Sequence, residues 1–246
     1  MHFILQTLIA TLFTYLMTTL GSMIVLFFNK IYNRLLCFFF GLSSGIMIAS
    51  SFFSLLITSL EEIDSTNMLD ILLLILSFSL GSFIIFIIDL LFNNKEDSSL
   101  SLMTLSITLH NIPEGMAIGV AFGLCFLNNI PYTNAWILAL GIGIQNFPEG
   151  SAISLPLYSS GYSKKKAFFI GQCSGLVEII FGVLGALFVL LFNNLLPFTL
   201  SFAAGTMIYV VCSELIPSTF EKKKNPIGIL GILLGFILMM SLDLLL

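Results

Sequence analysis

Residues Leu69 to Phe92 read LDILLLILSFSLGSFIIFIIDLLF, a run of 24 positions with only two charged side chains, Asp70 and Asp89, near its ends. A helix rises about 1.5 Å per residue and a bilayer's hydrocarbon core is about 30 Å thick, so a run of this length and character crosses a membrane. The same reading works outward in both directions. Apolar runs cover 3–28, 35–59, 69–92, 100–127, 134–157, 166–191, 197–217 and 226–246, which predicts eight transmembrane helices. Turn-forming residues separate them: Asn29-Lys30, Glu61 to Asp64, Asn93 to Lys95, Asn128 to Pro131, Gly161 to Ser163, Asn193-Asn194 and Asn225-Pro226. The gaps are too short for a separate soluble domain. The expected fold class is all-α, a polytopic membrane protein forming one domain over 1–246. β-Barrels are set aside because their strands alternate rather than run continuously apolar. The first run lacks a basic leader and a small-residue cleavage site, so it reads as a retained span.

Composition agrees. The chain has 246 residues, 58% hydrophobic and 9% charged. A soluble domain carries about 25% charged residues, so a soluble enzyme, a nucleic-acid binder and a disordered scaffold are excluded. The four cysteines, Cys37, Cys125, Cys173 and Cys212, lie far apart within spans and form no C-x-x-C pair, which favours packing over disulfides or a thiolate metal site.

The nine basic residues are confined to alternate loops: Lys30 and Arg34, then Lys95, then Lys164 to Lys166, then Lys222 to Lys224. By the positive-inside rule these loops face the cytosol and both termini face outward.

Apart from Asp70 at the very start of span three, six acidic residues fall within spans: Asp89, Glu114, Glu149, Glu178, Glu214 and Asp243. Asp89 and Asp243 lie near span ends and Glu214 lies close to the cytoplasmic end of span seven. Glu114, Glu149 and Glu178 lie near mid-helix. An ionised carboxylate at the bilayer centre costs roughly 2.5–3.5 kcal/mol on the mildest scale, so three cost about 9 kcal/mol. No Lys or Arg in the interior of any span offsets them. Protons or a bound cation must supply the balancing charge.

What surrounds these carboxylates favours a cation. Span four contains HNIPEGMAI from His110 to Ile118, and span five contains QNFPEGSAI from Gln145 to Ile153. Asn, Pro, Glu, Gly, Ala and Ile coincide at an offset of 35 (Glu149 against Glu114). Consecutive spans run in opposite directions, so these are inverted copies of one half-site, as in many transporters. Positions i and i+4 share a helix face, so His110 and Glu114 address one point, as do Gln145 and Glu149. Asn111 and Asn146 point about 100° away and serve a neighbouring point. Pro113 and Pro148 lack an N–H and release the carbonyls of Leu109 and Ile144. Glycine after each Glu permits close helix approach. Imidazole, carboxylate and amide oxygens suit a borderline divalent cation such as zinc, iron or manganese, and the lack of thiolates suits release rather than trapping. A second inverted pair, Gly45 to Ile48 and Gly205 to Ile208, recurs at an offset of 160 (Met207 against Met47). Met47 is a candidate soft thioether contact to metal, with core packing as the alternative. On the same offset Glu214 faces Ser54, so the arms differ chemically. Glu214 and Asp89 are candidate way-stations on a transport pathway.

These motifs resemble the ZIP (zinc/iron-regulated transporter-like) family of divalent-metal transporters over essentially the whole chain: HNIPEG in span four, PEG in span five, a Gly-rich span six with Glu178, and Ala203 to Pro217 in span seven. The resemblance implies a 3+2+3 inverted-repeat bundle with a two-metal site between spans four, five and six. It implies one metal position at His110, Glu114, Gln145 and Glu149, with Met47 as a candidate addition, and a neighbour at Asn111, Glu114, Asn146, Glu149 and Glu178. It also implies uptake of zinc, or of iron, manganese or cadmium, toward the cytosol by a homodimer in the plasma membrane or an organelle membrane. Two departures stand out. Many members carry His at Gln145 and often an acid at Asn146, and two neutral amides there lower the affinity for a second cation. The loop Asn93 to Ser99 has none of the histidines that lengthen it in many eukaryotic members. Membrane lipid is the other expected contact, with no catalytic cofactor and no nucleic acid. An intramembrane metalloenzyme is the competing reading, against which H-E-x-x-H is absent; a proton-coupled solute carrier is the other. No ATP-binding loop is present.

Overall fold

The computed structural model describes residues 2–64, 66–92, 99–191, 196–220 and 226–245. Among them the chain forms eight long helical rods: α1 His2–Phe27, α2 Asn33–Glu61, α3 Met68–Phe92, α4 Ser99–Leu127, α5 Thr133–Ser159, α6 Lys164–Phe188, α7 Leu196–Phe220 and α8 Pro226–Leu245. The apolar runs predict these boundaries to within three residues. Lys95, Asn193-Asn194 and Lys222 to Lys224 lie outside the described residues.

Six of the rods are long and apolar enough to cross a membrane: α1, α2, α3, α6, α7 and α8. The other two, α4 and α5, have 29 and 27 residues and therefore ample length. They carry the two polar motifs, with their His, Asn, Gln and Glu. Nearly all of α5 from Gly141 to Leu157 is buried, whereas α3 and α8 expose most of their apolar surface. Rods that face lipid must be apolar throughout; rods enclosed by others can hold polar groups.

The packing is paired. α2 lies along α8 and α3 along α7; α1 lies along α5 and α4 along the second half of α6. Matching contacts recur. Gly45 of α2 backs onto the Ile232 carbonyl of α8, and Gly205 of α7, 160 residues later, backs onto the Phe78 carbonyl of α3. Both α2 and α7 also loosen into a π-helical stretch, Ser51–Ile57 and Val211–Leu215, again starting 160 apart. The equivalence of the two arms noticed at Met47 and Met207 thus extends to helix geometry. Both methionines are fully buried in the hydrophobic core.

The end bearing the described basic residues is tied together by them. Lys164 donates to the Leu26 carbonyl at 3.2 Å and to Asn29 Oδ1 at 2.8 Å, closing the last turn of α1, where a cation also complements the helix dipole. Ser163 caps α6 by accepting from the Lys166 amide. At the opposite end, Thr66 donates its amide and hydroxyl to Asp64, holding the Asp64 carboxyl below its ordinary range.

Candidate metal centre

Mid-way along α4 and α5 the two motifs face each other. His110, Asn111, Glu114, Gln145, Asn146, Glu149 and Glu178 are all buried, Glu149 at 1% exposure and the others at 0%. Glycine makes the approach possible. A Cβ on Gly115 would meet the backbone of Glu178 in α6, and a Cβ on Gly150 would clash with the Thr18 carbonyl of α1. Thr18 and Glu178 are themselves 160 residues apart, so α1 and α6 dock on the two motifs in equivalent registers.

One ligand atom each from His110, Glu114 and Glu149 lies within 4.8 Å of the others, a spacing that a single cation can bridge. His110 Nε2 lies 3.3 Å from Glu149 Oε1. Gln145 Nε2 donates to Glu114 Oε1 at 2.6 Å. Four oxygens in this group have no hydrogen-bond partner: Glu114 Oε2, Gln145 Oε1 and both carboxylate oxygens of Glu149. Buried polar atoms are nearly always paired, and an orphan costs about 1–3 kcal/mol, more when charged. Four together beside an imidazole form a donor set matched to a divalent cation. The i, i+4 reading of His110 with Glu114 and of Gln145 with Glu149 therefore meets at one place.

The second tier is arranged differently. Asn111 Nδ2 donates to the Ser174 carbonyl at 3.3 Å, and Asn146 Nδ2 reaches the Thr14 carbonyl at 3.5 Å. Asn146 also donates to both oxygens of Glu178, at 2.8 and 2.9 Å. Glu178 lies outside the three-residue ligand cluster. A feature absent from the sequence reading prepares it: α6 is two half-helices, Lys164–Ser174 and Leu176–Phe188, joined at Gly175. There the Glu178 amide bonds back to the Gly175 carbonyl at 3.2 Å instead of continuing the α ladder, which frees the Ser174 carbonyl for Asn111. The only sequence signal is Ser174-Gly175, which reads equally as small-residue packing.

The pathway candidates sit toward the two ends. Asp89 Oδ2 accepts from the Tyr209 hydroxyl at 2.6 Å, and Glu214, in the π segment of α7, interacts electrostatically with Asp89. In the other arm Ser54 donates to Asp243 Oδ1 at 2.5 Å. A cavity of about 370 Å³ between α2, α5 and α8 is lined by Ser54, Asp243, Thr58, Glu61, Asn134 and Gly141 among others. Its floor at Gly141 is one helical turn from Gln145.

The fold and the buried donor cluster define an integral, multi-pass helical membrane protein with a candidate cation centre. Residues 98–243 match the family described as ZIP Zinc transporter. The zinc transporter ZupT of Campylobacter jejuni is 33% identical over 96% of this chain and 94% of its own length. The zinc transporter ZIP11 of Homo sapiens is 48% identical over 58% of this chain, and the zinc transporter GufA of Myxococcus xanthus is 38% identical over 61%. The matched part spans 42% of the human protein and 56% of GufA. This chain belongs to the ZIP zinc transporter family.

Proposed function

We propose that this protein carries a divalent metal ion, zinc foremost, across the membrane toward the cytosol, binding it at mid-membrane between α4, α5 and α6. The observation that carries the proposal is the buried His110–Glu114–Glu149 cluster with its unpartnered carboxylate and amide oxygens. The names of the related proteins, all zinc transporters, support the cargo class.

In this reading all eight rods span the bilayer as a 3+2+3 inverted repeat, with both termini outward. The recurring contacts at Gly45 and Gly205, the π stretches 160 residues apart and the basic end tied by Lys164 support it. The cavity at the end away from Lys164 gives the ion an outer mouth, and Ser54 and Asp243 at its wall offer oxygen donors. Below the centre Val210, Val211 and Leu215 of α7 are fully buried, and in this reading they close the inner side while the cavity serves the outer one. Rocking of one inverted arm against the other would exchange the two states around a fixed site. Asp89 and Glu214 then receive the ion on the cytosolic side. A proton and a metal compete for the same carboxylates, so protonation of Glu114 or Glu149 aids release. No step requires a catalytic group, which separates this reading from an intramembrane enzyme.

Glu149→Ala removes two of the four orphan oxygens and the His110 partner. Uptake of radioactive zinc into vesicles holding this variant should fall to background while protein level in the membrane is kept. Undiminished uptake would refute the assignment.

A further inference from the structure

Buried hydroxyls on α2 take two forms. Ser44 donates to the Phe40 carbonyl and Ser51 to the Met47 carbonyl, both at 2.7 Å, and Ser54 donates to Asp243. Ser50 is fully buried on the same helix, with the Ile46 carbonyl one turn back, and does not use it. Its Oγ has no hydrogen-bond partner among the described residues. A helical serine normally takes that carbonyl when nothing else is at hand, and a buried hydroxyl left unpaired is unfavourable. An oxygen held off the bond is available to something else.

Its facing follows from its neighbours. α2 packs on α8 through Gly41, Gly45 and Ala49. Met47 faces away from α8, in the core that includes Ile142 of α5. At about 100° per residue, Ser50 lies about 60° round from Met47 and about 140° from Gly45. Its depth follows from one contact: a Cβ on Gly141 of α5 would lie 3.7 Å from Ser54 Oγ. α2 and α5 run antiparallel, so one turn inward from this contact reaches Ser50 on α2 and Gln145 on α5. Ser54 and Gly141 line the cavity, and Gln145 Oε1 is one of the unpartnered oxygens of the donor cluster. Ser50 therefore occupies the single turn that separates cavity from cluster. Met47 and Ile142, buried at this depth, offer no side-chain oxygen. A divalent ion crossing the turn sheds water, and one neutral oxygen can replace a water without adding charge that would trap the ion.

We propose that Ser50 is a hand-over ligand, its hydroxyl oxygen taking the divalent cation between the cavity and the His110–Glu114–Glu149 cluster. The inference rests on the transport reading given above and deepens it, by assigning entry to a residue outside the resident site.

Ser50→Cys tests this, because it keeps the size of the side chain and replaces oxygen by sulfur, which prefers soft cadmium to zinc. The variant is built on a background with Cys37, Cys125, Cys173 and Cys212 replaced, and vesicles holding it take up radioactive zinc at rising cadmium concentrations. The cadmium concentration that halves zinc uptake should fall roughly tenfold or more against the same background with Ser50. Ser44→Cys, at a hydroxyl already satisfied within the helix, should leave it unchanged. Ser50→Ala should lower kcat/KM for zinc about fivefold, the factor carried by one contact of hydrogen-bond size, with equilibrium zinc affinity in detergent unchanged. Cadmium sensitivity unaltered by Ser50→Cys, or raised equally by Ser44→Cys, would overturn the inference and leave the transport reading standing. A loss of zinc affinity in Ser50→Ala that matches its loss of transport would overturn it as well, by making Ser50 part of the resident site. Absence of zinc uptake by the wild-type protein would bring down the transport reading and this inference together.

Discussion

Gly150 shows how much of the site depends on a missing side chain. It follows Glu149 and lies against the Thr18 carbonyl and the Ser22 amide of α1. α1 meets it with a buried ladder of hydroxyls, Thr7, Thr11, Thr14 and Thr18, each bonded to a carbonyl three or four residues back. Their hydroxyls lie back along the helix, that of Thr14 also in reach of Glu178, so the face presented to α5 is short and close-fitting. Ser22 departs from this and donates across to the Gly150 carbonyl at 3.2 Å. Gly150→Ala places a methyl group into backbone that cannot swing away, so α1 must back off. Overpacking of this kind costs about 1–3 kcal/mol. A lower thermal unfolding midpoint in detergent is expected, together with weaker zinc binding, since Glu149 is the next residue. An unchanged midpoint would show that α1 is not held at this contact.

At the scale of the element, the π stretches carry a testable consequence. A π-helical segment holds one more residue than the α path it replaces and rotates everything beyond it by about 100°. In α2 the residues beyond Ser51–Ile57 include Thr58 and Glu61, which face the cavity. Phe52, inside the stretch, is half exposed on the outer surface. Deleting Phe52 should restore the α ladder and turn Thr58 and Glu61 out of the cavity. Reaction of a Thr58→Cys thiol with a water-soluble reagent should then slow at least several-fold against the same thiol in the full-length helix; an equal rate would mean that the π stretch does not set the facing.

The eight rods were legible as long, mostly apolar runs bounded by turn residues, and the motif on α4 and α5 was legible because an i, i+4 pair repeated at a fixed offset is hard to produce by packing. The π stretches were not, since SFFSLLI and VCSEL have the composition of the helices around them. Nor was the pairing of Asn146 with Glu178. It depends on the depth at which α6 docks on Gly115, and one residue of slip would separate them. Likewise Asp243 was legible as an acid near a span end, but its bond to Ser54 required knowing that α8 lies along α2.

For the whole molecule, direction of transport reduces to sidedness. The cavity lies at the end where α2 and α8 finish and α5 begins, with Glu61 and Asn134 at its wall. The described basic residues gather at the other end, where Lys164 grips the end of α1, with Lys166 over the Tyr162 ring. If the basic end faces the cytosol, as the charge bias in its loops predicts, this conformation is open to the outside and an ion captured at His110, Glu114 and Glu149 has one remaining way to leave, past Asp89 and Glu214. If the basic end faces outward, the same geometry is open to the cytosol and the reading becomes one of export. Two single thiols decide between these on a background with Cys37, Cys125, Cys173 and Cys212 replaced. Ile130→Cys sits in the exposed turn between α4 and α5, and Ser160→Cys in the exposed turn between α5 and α6. A membrane-impermeant maleimide applied to intact cells should label Ile130→Cys at once and Ser160→Cys only after permeabilisation. The reverse pattern would invert the topology, and the proposed direction of zinc movement would have to be reversed with it.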